Sequence, residues 1–474
     1  MSTFGSILSI ARSAIHAHQT AIQVASNNVA NAETPGYTRQ RAELVPSYPV
    51  RTPIAVLGSG VRVADVGQIR DTLLDASFRR ESTQAAGHGL HRDLLGQLEG
   101  VFGEPSDAGF ASTLDAFWGG WSDLANAPTN DAAREVVKQR GGQVAMALNG
   151  FSRRLDELSA DTGLRLGESV ARLNAYATQV AQLNTQIVSL EVGGTTAGGL
   201  RDARNTILDA MATLADVQVH ESATGGVAVT VQGQTIVDGS AARALAHSGS
   251  PPSVRVTFAG STERLPALGG ELGAMLEVLN VDVPATRTRL DELAGGVVSA
   301  VNAAHRAGWS PSAEPVAAGT VPVAPAAWSG SGVDFFDPAG VSAATISLSA
   351  AVQGDRGMIA AGGVYGGTGD NAVARSLAAL RDTGVAMGAG APTTLGAHYA
   401  DTVTGVALRT SAAESSATVY ETLAAQTDVR RQGVSGVSTD EELIALMRHQ
   451  QAYVAATRLV TAADEMAQAI LGMV

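Results

Sequence analysis

The residue types that most often carry catalysis are scarce in this chain, and their spacing suits no common catalytic site. Cysteine is absent and Lys138 is the single lysine, which excludes thiolate metal sites, cysteine nucleophiles and a glycine–lysine phosphate loop. His16 and His18 point to different sides of a helix, while His88 and His91 could share a face but have no third ligand nearby. The sequence therefore predicts no catalytic residue, no metal site and no cofactor.

Two further patterns are explained without an active site. The glycine-rich segment Gly362–Gly369 superficially resembles a phosphate loop, but it does not fit a strand–Gly-x-Gly-x-x-Gly–helix unit. A linker followed by a helix that Asp370 caps is the better interpretation. The acidic groups Asp156–Glu157 and Asp440–Glu442 are typical of solvated helix faces. No pattern gives positive support for an enzyme.

Composition and charge exclude several other classes of protein. The chain has 474 residues, enough for about three domains. Its 32 basic and 45 acidic residues give a net charge of −13, which disfavours nucleic acid and anionic membrane surfaces as partners. No stretch approaches the roughly 20 apolar residues of a membrane-spanning helix, and the first residues lack the basic region of a secretory signal peptide. We therefore expect no nucleic-acid binding, no membrane insertion and no cleaved signal.

Both ends of the chain show the periodicity of amphipathic helices. At the N-terminus, spacings of four and three predict a heptad seam made of Phe4, Leu8, Ala11, Ile15, His18, Ile22, Ala25 and Val29. At the C-terminus, Thr439 is expected to cap a helix with an apolar stripe of Leu443, Leu446, Met447, Tyr453, Val454, Val460, Met466, Ile470 and Val474. These could be ordinary bundle helices of one domain. Their alanine content and their extension to both chain ends instead favour packing against neighbouring molecules, with mobile ends in the free monomer.

A helix-stop and turn motif follows the first helix. The polar side chains of Asn27, Asn28 and Asn31 compete for the backbone and are expected to end the helix. A tight turn should follow, because proline presets its φ angle and glycine can take a positive one, over Thr34, Pro35, Gly36 and Tyr37. We expect this motif to fix the direction in which the chain leaves the helix.

Between the ends, helical periodicity predominates and short β segments interrupt it. Helical patterns extend from about residue 67 to 214 and include a long helix over 155–190. Further helices are predicted over 200–214, 269–306, 371–381 and 399–431. Period-two patterns predict strands over 227–231, 236–237, 254–258 and 345–348. The fold class is therefore mainly α with β insertions (α+β), and both termini are expected at one end.

Several sequence blocks resemble one known family. Ser26–Tyr37 resembles the N-terminal signature of the axial proteins of the bacterial flagellum, a family of rod, hook and hook-associated proteins. The continuation Thr38–Arg41 and the segment Val434–Leu443 are more similar to hook-associated members than to rod or hook proteins. The same resemblance extends to Leu200–Asn205, Gly269–Gly273, Val301–His305, Phe335–Pro338, Gly369–Asn371, Gln450–Tyr453 and Ala463–Met466.

The resemblance implies a structural component of the flagellum that forms the junction between hook and filament and is required for filament assembly. It also implies three nested domains: a terminal coiled-coil inner domain, a mainly helical middle domain and a small outer β-containing domain. Their expected bounds are 1–40 plus 440–474, 41–212 plus 268–307 plus 353–439, and 213–267 plus 308–352, respectively. The helices of the inner tube would contain Phe4, Leu8, Ala11, Ile15, Ile22, Leu443, Leu446, Tyr453, Val460, Ile470 and Val474.

The partners that the resemblance implies are all proteins. They are further copies of the chain, the hook protein, a second hook-associated junction protein that leads to the filament, and an export chaperone on the C-terminal helix. The implied location is extracellular, at the hook–filament junction, after passage through the flagellar type III export apparatus. A cysteine-free chain suits folding outside the cell without disulfides.

Two other functions stay open at this point. The chain could be another axial subunit, in the hook or the distal rod, because the terminal motifs are shared by the whole axial class. It could also carry a hydrolase or lectin module on axial-type termini, which would require a cleft with converging polar groups.

Overall fold

The computed structural model describes residues 2–51, 56–104, 106, 109–266, 268–317 and 319–472. Helices account for most of these residues, and the described strands form four small antiparallel sheets. The predicted fold class, mainly α with β insertions, is confirmed.

The first helix and a β-hairpin lie side by side. α1 (Ser2–Ala30) ends among the asparagines that were expected to stop it, and β1 (Gln40–Pro46) then pairs antiparallel with β4 (Val61–Gln68). Two-residue strands, β2 (Val50–Arg51) and β3 (Val56–Leu57), lengthen the hairpin. Both long strands pack against α1. The sequence pattern does not indicate this hairpin, because β1 and β4 bury no residue fully on either face.

The helical body comes next in the chain. α2 (Thr72–Gly100) and α3 (Phe110–Asn126) precede α4 (Asp131–Glu191), a helix of 61 residues, and α5 (Gly198–Leu214). The side chain of Asn130 accepts hydrogen bonds from N–H groups in the first turn of α4. This cap starts the helix 24 residues before the long helix that the sequence pattern predicts at 155.

The predicted strands in the middle of the chain are confirmed in two antiparallel groups. A four-stranded sheet has the order β5-β6-β7-β8, and a separate hairpin joins β9 to β10. Val227, Val229 and Val231 are buried on one face of β6, as their alternation predicts. The strands are β5 (Val217–Glu221), β6 (Val227–Val231), β7 (Gln234–Asp238), β8 (Ala241–Ala242), β9 (Leu245–Ser248) and β10 (Arg255–Phe258).

The chain then returns to helices. The predicted helix over 269–306 is continuous but contains one π-helical turn, Val278–Asp282. The helices are α6 (Gly270–Glu277), α7 (Val283–Arg306), α8 (Ala350–Gly354), α9 (Ala372–Ala379), α10 (Leu395–Ser435) and α11 (Thr439–Leu471). α10 packs along α2, and α11 packs against α1, so both chain ends lie together.

The strand predicted over residues 345–348 is wrong. Thr345 lies in a turn, and Leu348 makes an isolated bridge with Phe336 rather than belonging to a strand. The hydroxyls of Ser342 and Thr345 hydrogen-bond to each other at 2.7 Å. Such local polar contacts offer the backbone an alternative to a sheet ladder.

The two predicted helix caps have different outcomes. Thr439 is the first helical residue of α11 rather than its cap, and the hydroxyl of Ser438 accepts the N–H of Glu441 instead. The Asp370 carboxylate does accept an N–H at the start of α9, that of Ala372, and it also accepts N–H groups from the preceding glycine-rich segment. That segment is therefore held against α9 as a structural loop.

An aromatic cluster forms the core where α3, α7 and the loop after α7 meet. Phe117 and Trp121 lie 5.7 and 5.3 Å from Phe335 between ring centroids. The buried amide of Asn302 donates to the carbonyl oxygen of Phe336 and accepts the N–H groups of Phe335 and Phe336. One side chain thus satisfies the backbone of an irregular loop and ties it to the helical body.

The neutral imidazole of His305 in α7 also ties this loop to the helical body. Its Nδ1 donates to the Val333 carbonyl at 2.7 Å, and its Nε2 accepts the Ala360 N–H at 2.9 Å. Burial lowers the pKa of His305 to about 4. Protonation would put a second N–H against the Ala360 N–H, so the folded state resists it.

We predict that acid weakens the folded body through His305. The folded state holds fewer protons than the unfolded state between pH 6.5 and about 4, so the free energy of unfolding should fall by about 3 kcal/mol as the pH drops across this window. Urea unfolding, followed by tryptophan fluorescence, measures it. The difference between wild type and His305→Gln should shrink as the pH falls. Parallel pH profiles for the two proteins would contradict the assignment.

Candidate assembly site at the paired chain ends

The two terminal helices pack antiparallel through a seam of small side chains. His18 faces His449, while Asn28, further along α1, faces Glu442, earlier in α11. Most of the fully buried seam residues are alanines, which permit close helix approach. The buried residues on α1 are Ala11, Ala17, Ala21, Ala25 and Asn28, and those on α11 are Glu442, Ala456 and Ala463.

The predicted assembly residues lie mostly at the edge of this seam rather than in it. Ala11 is fully buried, whereas Leu443 is 49% exposed. Leu8, Ile15, Ile22, Leu446, Tyr453 and Val460 are all partly exposed. The side chains of Phe4 and Ile470, and the whole of Val474, lie outside the described residues. The buried face of α1 is therefore rotated from the predicted heptad towards alanine and asparagine, which leaves the larger apolar side chains facing outwards.

The outward side of α11 is apolar along much of its length. Six large side chains on this helix are each 46–54% exposed in the single chain, namely Leu443, Ile444, Met447, Val454, Leu459 and Met466. Large exposed apolar side chains that recur along one helix mark it as a candidate interaction site.

Backbone hydrogen bonds join the residues of the helix-stop and turn motif after α1. The Asn31 N–H bonds to the Asn27 carbonyl at 3.0 Å, and the Tyr37 N–H bonds to the Thr34 carbonyl at 3.2 Å. Gly36 has a φ of +79°, the left-handed conformation that glycine adopts without strain. Thr34, Pro35 and Gly36 are exposed, whereas Asn31 and Tyr37 are partly buried.

Asn28 is the centre of the contacts at this end of α1. Its fully buried amide donates to the Gln40 carbonyl at 2.8 Å and to Glu442 Oε2 at 3.0 Å. Its Oδ1 accepts the Gln40 N–H at 3.0 Å and the Tyr37 hydroxyl at 2.8 Å. The amide thus joins the end of α1, the start of β1 and the first turn of α11. We call Asn28, Tyr37, Arg39, Gln40 and Glu442 the joint.

Charges reinforce the joint from the side of α11. Arg39 bonds Glu442 Oε1 and Glu441 Oε2, each at 2.7 Å. Glu442 is buried, so this charge-assisted pair is screened far less than a surface ion pair. The Arg39 N–H also bonds the Ser435 carbonyl at the end of α10. Arg39 therefore contacts the start of α11 through its side chain and the end of α10 through its backbone.

A second carboxylate links the joint to the helical body. Asp202 of α5 accepts the Thr38 N–H at 3.2 Å and the Gln68 amide at 2.6 Å. Burial raises the pKa of Asp202, although these hydrogen bonds and Arg70 oppose the effect. Burial, Asp202 and Glu442 together raise the pKa of Tyr37 to about 12, so its hydroxyl stays protonated and continues to donate to Asn28.

Sequence reasoning missed the residues that complete the joint. Arg39 and Asp202 lie inside blocks that carry the family resemblance, but neither block shows what the side chain contacts. The expectation that Glu442 lies on a solvated helix face is wrong, because Asn28 and Arg39 cover its carboxylate. Arg39 and Glu442 are 403 positions apart in the sequence. No local sequence pattern therefore predicts that they form a pair.

The histidines considered as metal ligands have protein neighbours. His88 stacks on Tyr420 with ring centroids 4.6 Å apart, and His91 bonds Asp282 at 3.0 Å. Within the described ranges, no group of three or more histidine and acidic side chains is arranged to hold a metal ion. No described helix has the length and apolarity needed to span a membrane.

Three family models match successive parts of the chain. Residues 8–38 match a flagella basal body rod protein model, residues 95–315 match the helical domain of flagellar hook-associated protein FlgK, and residues 432–473 match the C-terminal region of the basal body rod FlgEFG proteins. Flagellar hook-associated protein 1 of Bacillus subtilis is 29% identical over 98% of this chain and 97% of its own length. The chain is thus similar to flagellar hook-associated protein 1 along nearly its whole length.

Other relatives agree over shorter spans. The proteins of the same name from Salmonella typhimurium and Escherichia coli are 28% and 27% identical over 64% of this chain, which corresponds to 57% and 58% of their own lengths. The solved structure of the flagellar hook junction protein FlgK from Burkholderia pseudomallei has a TM-score of 0.63 and 18% identity, and covers 76% of this chain and 100% of that one. This likeness supports the fold. Together, the three family models and these relatives identify the chain as a structural component of the bacterial flagellum.

We predict that Asn28→Asp detaches the start of α11. A carboxylate at this position loses both donated hydrogen bonds and faces Glu442, which should cost about 2–5 kcal/mol. Hydrogen exchange of the α11 amides is the measurement, and these amides should exchange faster. The control is Gln23→Glu, the corresponding change from an amide to a carboxylate at an exposed residue of the same helix. Equal protection of α11 in both variants would remove Asn28 from the centre of the joint.

We also predict that Gly36→Ala destabilises the turn for two separable reasons. The positive φ strains alanine by about 1–2 kcal/mol, and the new Cβ would lie 2.5 Å from Thr206 Oγ1. Thermal unfolding should show a lower Tm. Adding Thr206→Ala removes the clash but not the backbone strain, so it should restore the Tm only in part. Gly199→Ala, where a Cβ meets open space, is the control. Full restoration by Thr206→Ala would show that the φ angle does not matter.

Proposed function

We propose that the chain connects hook to filament by self-assembly through its paired terminal helices. The observation that carries this proposal is the apolar outward side of α11, which stays half exposed although α11 is already paired with α1. The alanine seam holds the two helices together within one chain. The larger side chains are then free to pack against neighbouring subunits in an inner tube.

The energetics favour this division of roles. Fully burying one leucine-sized side chain stabilises by about 1.5–3 kcal/mol, so each half-exposed residue on α11 would gain roughly 1 kcal/mol at a subunit contact. On α1, the partly exposed Leu8, Ile15 and Ile22 would add to the same interface. Many weak contacts of this kind stabilise a helical array without making an isolated monomer aggregate strongly.

The joint gives the assembly its geometry. Asn28, Glu442 and Arg39 fix the angle between the helix pair and the helical body, and Asn27, Asn31, Thr34, Pro35, Gly36 and Tyr37 fix the exit of the chain. Copies of one subunit can form a tube with an ordered outer layer only when this angle is the same in each. The nested domains expected from the sequence fit this arrangement, with residues 1–40 and 440–474 as the inner domain.

As a flagellar axial protein, the chain assembles with other flagellar proteins. We propose as direct neighbours other copies of the chain, the hook protein and a second hook-associated junction protein, and as export partner a chaperone on α11. The lack of cysteine supports export through the type III apparatus and folding outside the cell. Relatives over most of the chain are structural proteins, and we propose a structural role without catalysis.

The alternatives have weaker support. A hook or distal-rod subunit would share the terminal matches, but the match over residues 95–315 is to a hook-associated helical domain. A hydrolase or lectin module would need converging polar groups without internal partners. A cleft of about 960 Å³ beside α2 and α5 is lined by arginines that are already paired, such as Arg70 with Asp75 and Arg79 with Asp209.

We predict that Leu443→Glu with Val454→Glu abolishes filament attachment and leaves the monomer folded. Both positions are about half exposed. The introduced carboxylates should therefore destabilise the contact between subunits and not the fold of the monomer. Swimming motility, filaments counted by electron microscopy and protein released into the medium are the readouts. The control is Leu164→Glu on α4, 71% exposed and remote from the helix pair. Normal filaments on the double variant would contradict the proposal.

The position of the labelled chain in the flagellum distinguishes a junction protein from a hook or rod subunit. A tag on the helical body should appear as one narrow band at the distal end of the hook. Label along the hook or in the rod would favour the alternative axial roles.

A further inference from the structure

Two histidines meet inside the seam between α1 and α11. Nδ1 of His18 lies 3.2 Å from Nδ1 of His449, with the ring centroids 5.5 Å apart and the planes tilted by 37°. Both rings are partly buried. The seam positions one heptad away are Ala11 and Ala25 on α1 and Glu442 and Ala456 on α11. Beyond the joint, the imidazoles are therefore large side chains in a seam of alanines.

This contact tolerates only some protonation states. A hydrogen bond between two Nδ1 atoms needs one nitrogen that carries a hydrogen and one that offers a lone pair. Two neutral rings, or one neutral ring and one cation, satisfy this condition. Two imidazolium ions place N–H against N–H at 3.2 Å and add the repulsion of like charges.

The surroundings do not compensate a second positive charge. Among the described side chains, no carboxylate oxygen lies within 4.0 Å of either imidazole. The charged residues that line the groove beside His449 come from β1, the residue before it and α11, and the α1 wall of the groove is uncharged. They are Arg39, Arg41, Glu43, Glu441, Glu442 and Arg448. Arg39 already engages both Glu441 and Glu442.

The direction of the pKa changes agrees with the geometry. Burial lowers the pKa of His18. Burial, His18 and Arg448 lower the pKa of His449, against the opposing effect of Glu442. Because the paired state disfavours protons, pairing is at full strength above pH 6.5, the ordinary histidine value, and weakens as the pH falls.

We propose that His18 and His449 form a proton-sensitive lock between the N-terminal half of α1 and the C-terminal half of α11. The lock keeps these halves paired while one ring is neutral and releases them when both are charged, while the joint holds the other ends of the two helices together. The alanine seam makes the lock effective beyond the joint, since little other side-chain area opposes separation there. The lock acts within one chain. Its consequence, acid-sensitive packing of subunits, rests on the proposed function and can fail without affecting the lock itself.

The absence of cysteine allows a direct test on the full-length monomer. Spin labels at Ser9→Cys and Arg458→Cys, both exposed positions on opposite helices, report the distance between α1 and α11. We expect one narrow distance distribution at about pH 8 and loss of at least half of it at about pH 5. Tryptophan fluorescence confirms that the body stays folded, since Trp118, Trp121, Trp309 and Trp328 all lie outside the two helices.

Variants distinguish the lock from general acid sensitivity. His18→Asn with His449→Asn keeps hydrogen-bonding groups but removes the titration, and its distances should be the same at both pH values. The control is His16→Asn on the same helix, exposed, which should respond as wild type does. An unchanged wild-type distribution at about pH 5, or an acid response that survives in the double variant, would overturn the proposal.

A second measurement decides the case if the double variant is already unpaired at about pH 8. The imidazole proton resonances of wild type report the charge of each ring. Separation of the helices must coincide with protonation of the second ring, and separation while both rings are neutral would overturn the proposal.

Discussion

The structure of the chain ends depends on one constraint, the need of a buried asparagine amide for hydrogen-bonding partners. Asn28 lies in the seam with no solvent to satisfy it, and an unpaired buried amide would cost about 1–3 kcal/mol. Its partners come from β1, Tyr37 and Glu442. The residues that satisfy Asn28 therefore bring three separate segments to one point. Arg39 and Asp202 then extend this point to α10 and α5.

The alanine seam and the polar joint serve different purposes. Alanines stabilise a helix pair only weakly but allow the backbones to approach closely. Asn28, His18, His449 and Glu442 fix the rotation of the helices about their axes, because polar partners tolerate little misalignment. The price of this arrangement is a low stability of the pair, and its benefit is an outward apolar surface that is free for neighbouring subunits.

The fold was largely predictable from the sequence, and the site only in part. Helices with long periodic faces, such as α4 and α7, and the alternating strand β6 follow from periodicity. The turn at Pro35–Gly36 follows from residue types. The hairpin β1–β4 does not, because neither strand contains a fully buried residue that would mark a core face.

The heptad pattern does not predict which face of α1 is buried. Spacing alone favours the bulky Ile15 and Ile22 for the seam, whereas the structure buries Ala21 and Asn28. Partners that are hundreds of residues away, above all Glu442, decide which face is buried. The expectation that both ends need neighbouring molecules omitted these contacts within the chain, which give each terminal helix a partner.

Cryo-electron microscopy of the assembled hook–filament junction tests the central claim most directly, namely that the helix pair is preformed by the joint and assembles through its outward face. We predict that α1 and α11 of each subunit stay paired through Asn28 and Glu442, while Leu443, Met447 and Val454 contact neighbouring subunits. A map in which α11 leaves its own α1 to pair with another subunit, or in which that apolar face is exposed to solvent, would contradict the account.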